Sequence, residues 1–248
     1  MAISWRYPAV EAVTMGLFVF LGWWELMGGG HLPNRPLRLG STILWAPYTG
    51  QELAALYVYH LMLCCSLLAA GLIEHDHSLI GGRVWVRLFW PAGVWGLAAP
   101  LIWPAVHPVP AFGPGPEGWP NWLLGLLDAV VGLAGGIGIG FFWTLIEAGF
   151  TRSAGNRLQR PGFWMPKLGP AGLVGMYLGW QAGLAVGLLG GLLWILSGLV
   201  SRRLARHPAD SPPTWRFFPI PFSAWMGLGS FLWILCWDRW IDWSKGLF

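Results

Sequence analysis

Residues Trp122–Gly149 read WLLGLLDAVVGLAGGIGIGFFWTLIEAG, an apolar run holding one acid near each end, Asp128 and Glu147, and no base. A helix that crosses a bilayer needs about 20 such residues. The glycines superficially form a dinucleotide-loop pattern, but no strand precedes them and they lie inside an apolar run, so the phosphate-binding context is missing. Small residues that let helices approach closely explain them better. The run is a helix in a membrane.

Similar runs lie on both sides. Spans are expected near Ala12–Met27, Leu53–Ile73, Leu88–Val106 and Phe222–Ile241, besides Trp122–Gly149. The stretch Leu168–Val200 is too long for one helix and divides around Trp180-Gln181 into a short fifth and a sixth span. The expectation is an all-α, polytopic transmembrane helical bundle of six to seven spans, six if the fifth is re-entrant. Residues 1–248 form one transmembrane domain. No strand alternation competes with this reading.

Composition excludes the soluble classes. Of the 248 residues, 55% are hydrophobic and 10% are charged, against about 25% charged in soluble domains. The mean hydropathy is +0.54. Three cysteines (Cys64, Cys65, Cys236) sit in apolar runs and read as small buried hydrophobes. The 20 tryptophans suit the bilayer interface, where the ring is apolar and its N–H reaches water. The net charge of +4 is a topological signal and implies no nucleic acid. With the N-terminus cytoplasmic, Arg6, Arg83, Arg87, Arg152, Arg157, Arg160, Lys167, Arg202, Arg203, Arg206 and Arg216 fall inside; Arg35, Arg38, Arg239 and Lys245 fall outside. That asymmetry follows the positive-inside rule and sets the expected orientation. The loop His107–Asn121 carries no base and is rich in Pro and Gly, as a lid or docking edge would be.

Ionisable residues within a bilayer are costly, so they are the first candidates for chemistry. The densest group is Glu74-His75-Asp76-His77, at the cytoplasmic end of the second span. It lacks partners for a metal site, and interfacial placement explains it as the helix leaves the membrane. Glu147, near the inner end of the fourth span, could meet Glu74; Asp128, near the outer end, reads as a packing carboxylate. His60, inside the second span, reads as a hydrogen-bonded packing residue ahead of a pigment or haem ligand. No cofactor or metal is expected.

Four motifs in order resemble the membrane core of the type IV prepilin peptidases. Ile3-Ser4-Trp5-Arg6-Tyr7-Pro8-Ala9-Val10-Glu11 is similar to that family's I-S-x-R-Y-P-x-V-E. Leu72-Ile73-Glu74-His75-Asp76-His77 is similar to its L-I-D-x-x-H, Gly179-Trp180-Gln181 to its G-W-Q, and Pro219-Ile220-Pro221-Phe222 to its I-P-F-G-P. The resemblance implies the family's polytopic helical fold, without its N-terminal zinc-binding methyltransferase segment, which is expected to be absent. The family cleaves with two membrane aspartates. The first falls on Glu74; the second falls on Met165, within Gly162-Phe163-Trp164-Met165-Pro166-Lys167-Leu168. Trp164 replaces a glycine there, Gly81-Gly82 replaces a P-D pair, and Ser223 replaces the glycine of I-P-F-G.

Aspartyl proteolysis needs two carboxylates close enough to share a proton. A methionine has none to give. The expected function is therefore a catalytically degenerate, prepilin-peptidase-like, tryptophan-rich subunit or scaffold, with no enzyme activity, embedded in lipid and bound to other integral membrane proteins. The alternative is an active endopeptidase that cuts pilin-like leaders with Glu74 plus Glu147 or Asp76.

Overall fold

The structure, a computed structural model, describes residues 6–27, 35–39, 42–76, 82–103, 119–150, 161–204 and 220–236. In chain order the helices are α1 (Arg6–Gly22), which runs on into a π-helical turn (Trp23–Met27), α2 (Gly50–Asp76), α3 (Gly82–Ile102), α4 (Asn121–Phe150), α5 (Pro161–Leu204) and α6 (Phe222–Leu235). Four segments are long and apolar enough to cross a membrane: Pro8–Met27, Gly50–His75, Trp122–Gly149 and Pro166–Val200. The chain is a helical, multi-pass membrane protein. α6 is apolar but shorter, and α3 carries Pro91 and Pro100.

One element departs from the helical reading. Arg35–Leu39 (β1) and Thr42–Ala46 (β2) pair antiparallel, with Arg35 opposite Ala46 and Leu39 opposite Thr42. Five-residue strands are too short to show a period against an apolar background, and such a hairpin is marginal alone. The start of α2 also lies upstream of the expected Leu53. Thr49 and Glu52 form a capping box: the Thr49 amide donates to Glu52 Oε2 at 2.8 Å and the Glu52 amide to Thr49 Oγ1 at 3.4 Å. This satisfies amides that the first turn leaves open.

The long helix α5 is two helices joined at one residue. Gly179 has φ 84° and ψ 166°, a region that only glycine enters without strain. The break falls one residue before the expected division at Trp180-Gln181. Along α4, positions 128, 132, 136 and 140 face 179, 175, 171 and 167 in turn, so residues 161–178 run antiparallel to α4. Past the break the order inverts: Gly183 lies against Gly175, Gly187 against Ile139 and Gly191 against Trp143. Residues 180–204 therefore turn back along α4.

Glycine permits this packing. A methyl group at Gly132 would overlap the Gly175 carbonyl, and one at Gly175 would overlap the Gly132 carbonyl. Trp143 closes the third side by donating Nε1–H to the Gly187 carbonyl at 2.9 Å. Trp85 and Trp143 are buried while Trp23, Trp90, Trp119 and Trp122 are exposed, so the interfacial reading covers only part of the tryptophans. Cys64 is buried, whereas Cys65 and Cys236 are half-buried.

Tyr59, fully buried on α2, sits where two backbone breaks meet. Pro100 has no amide to give the Gly96 carbonyl, and the Gly179 break interrupts the helical bonding around Met176. The Tyr59 hydroxyl lies 3.4 Å from both the Gly96 and Met176 carbonyls, and its ring stacks on Tyr177 at 4.3 Å. Tyr177 in turn donates to the Ala92 carbonyl at 2.7 Å. Removing one hydroxyl leaves acceptors with no water to replace it. Tyr59→Phe is expected to cost about 1–3 kcal/mol, read as a lower midpoint in SDS-induced unfolding. An unchanged midpoint would mean the two carbonyls are satisfied without it.

Candidate functional site

Two of the sequence motifs meet at one end of the bundle. α6 begins at Pro221, whose φ of −56° and ψ of 149° start the helix abruptly and which offers no side-chain cap. The first amides of α6 therefore need an acceptor from elsewhere. Glu74, in the last turn of α2, supplies it. Its carboxylate accepts from the Phe222 amide at 3.2 Å, the Ser223 amide at 3.1 Å and the Ser223 hydroxyl at 2.8 Å. A carboxylate at a helix N-terminus also meets the positive end of the helix dipole. Ser223, which replaces the glycine expected in the motif, adds the shortest of the three bonds.

Lys167 ties the other helices to this point. The sequence counts it among the cytoplasmic bases; the structure buries it at 4% exposure. Its Nζ lies 2.5 Å from Glu147 Oε2 and 4.6 Å from the centre of the Trp194 ring, an ion pair and a cation–π contact together. Trp194 stands edge-on to Phe222 with ring centres 6.2 Å apart. The Lys167 charge also acts on the Glu74 carboxylate. Glu74, Glu147 and Lys167 thus share one region, reached from α2, α4 and α5.

The remaining candidates fall as follows. Met165 stands in α5 two residues before Lys167, and its side chain, like those of Trp164 and Asp76, lies outside the described part of the structure. His77, Gly81, the loop 104–118 and residues 205–219 are outside the described residues altogether. Asp128 is buried at the far end of α4, its Oδ2 3.3 Å from where a Gly179 Cβ would stand. It faces the helix break and not Glu74. His60 is buried and its Nδ1 lies 2.6 Å from Oε1 of Glu25, a fully buried residue on the π-helical turn. Among the described residues no three His, Cys, Asp or Glu side chains are placed to hold a metal ion.

The chemistry of this arrangement is one of separate partners. A proteolytic dyad shares one proton between two carboxyl groups and leaves room for water and a scissile carbonyl. Here Glu74 accepts three hydrogen bonds from α6, and Glu147 is paired with a lysine. The sequence put Glu74 at the cytoplasmic end of one span and Glu147 near the inner end of another. It gave Lys167 no role beyond sidedness and marked Ser223 only as a departure from a motif, because what they do depends on contacts across the fold. Lys167 did leave a signal: it is the only charge between Pro166 and Val200.

An apolar groove of about 490 Å³ runs from this end between α1, α2 and α6, lined by Val13, Phe20, Leu67, Gly71 and Phe231, with His75 and Pro221 also in its wall. No family model, curated protein or solved structure matches the chain. The class that fold and site define is a multi-pass helical membrane protein in which Glu147 is paired with Lys167 and Glu74 accepts from the start of α6.

Proposed function

We propose that this chain is a non-catalytic structural subunit of a membrane protein assembly, built on a prepilin-peptidase-like bundle of six to seven spans. The N-terminus is cytoplasmic and the membrane is a bacterial inner membrane. The observation that carries this reading is the engagement of Glu74. The carboxylate at the family's first aspartate position caps α6, and the nearby Glu147 is held by Lys167. Groups so employed stabilise the junction of four helices and are poor donors of chemistry. Methionine at the second aspartate position agrees with this.

Native isolation tests the proposal. The tagged protein, drawn gently from its own membranes, is expected to migrate with other integral membrane proteins at fixed stoichiometry. A free monomer without partners would count against it. The competing reading, an endopeptidase acting on pilin-like leaders, draws support from the nearness of Glu74 and Glu147 to one lysine. It requires leader cleavage by the reconstituted protein that Glu74→Gln abolishes. We expect no cleavage from either form.

A further inference from the structure

A second buried polar group lies away from the α6 junction. His60 and Glu74 are separated on α2 by about 21 Å at 1.5 Å per residue. Glu25 is fully buried and His60 nearly so, both within membrane-spanning segments. Glu25 Oε1 approaches His60 Nδ1 at 2.6 Å. Glu25 Oε2 has no hydrogen-bond partner among the described residues. The other titratable groups nearby are the Cys64 thiol, on which Glu25 acts electrostatically, the Tyr59 hydroxyl beside His60, and Tyr57, whose ring packs on Gly22. The described residues provide no lysine or arginine in an ion pair with Glu25.

An ionised carboxylate is acceptor-only and demands several donors. Glu25 has one candidate donor and one bare oxygen, in a setting where an undercompensated charge is costly. A carboxylic acid demands less, needing one acceptor for its proton. We propose that Glu25 and His60 form a membrane-buried proton-binding site, in which Glu25 is a neutral acid that donates its Oε1 proton to Nδ1 of a neutral His60.

The site also fastens α1. That helix shows lipid much of its surface, with Val13, Met15 and Val19 exposed, and the π-helical turn brings Glu25 against α2. π-Helical turns often mark functional sites. Adding or removing a proton leaves net charge inside the bundle, which needs water for solvation.

Infrared spectroscopy of the full chain in lipid nanodiscs tests the proposal. Wild type is expected to show a carboxylic-acid C=O band that exchanges slowly in D₂O and shifts when glutamate carboxyls carry carbon-13. Glu25→Gln removes that band. If Glu25→Gln fails to fold, Glu25→Asp serves: the band should persist but lose its response to labelled glutamate. Absence of the band from wild type, its survival in Glu25→Gln, or a continued response to labelled glutamate in Glu25→Asp would overturn the proposal.

Discussion

Lys167→Met is expected to destabilise the protein by about 3 kcal/mol, the lower end of what breaking a buried ion pair costs. The lower end applies because the Glu147 side chain is 28% exposed and partly solvated. The substitution strands Glu147 and withdraws the positive charge acting on Glu74, while methionine largely fills the space. The cost is therefore an unpaired charge and not a cavity. Adding Glu147→Gln should return much of the loss, because the stranded charge disappears with it. SDS-unfolding midpoints of the two single variants and the double variant form the cycle. Strictly additive losses would show that the two side chains do not interact.

Gly132→Val should be still more damaging. The new Cβ would overlap the Gly175 carbonyl, and backbone cannot swing aside as a flexible side chain can. Ordinary overpacking costs about 1–3 kcal/mol; here α4 and the first half of α5 must separate, so the expected loss exceeds that range. Helix association in lipid depends on such close packing, and the folded fraction recovered in mild detergent should fall sharply. Gly138→Val is the control. Nothing lies within 4 Å of its added Cβ, and it should behave like wild type. Equal behaviour of both variants would refute the close approach.

The helical membrane class was legible because apolar length is a local property, as Trp122–Gly149 illustrates. The division of α5 was legible for a related reason: a long apolar run must turn, and Gly179-Trp180-Gln181 offers the glycine for it. The β1–β2 hairpin was not legible, since five residues carry too little pattern. The site was half legible. Glu74 stood out as an acid in an apolar context, but its acceptance of the Phe222 and Ser223 amides joins residues about 150 positions apart. Lys167 was read by sidedness, a rule that averages over charges and cannot tell a solvated base from a buried one. Glu25 does not stand out in the sequence, because its partner His60 lies on another helix.

The reversal at Gly179 bears on how the chain is inserted during synthesis. A lone helix ending at residue 178 would present its last carbonyls to lipid. That exposure is costly in a bilayer. α4 and the two halves of α5 thus have little reason to leave the translocation channel one at a time. The economical course holds α4 at the channel wall until the ribosome has delivered both halves of α5, then releases all three as a packed unit. Biogenesis of this protein would then proceed in blocks, with Gly179 at the fold of the largest one.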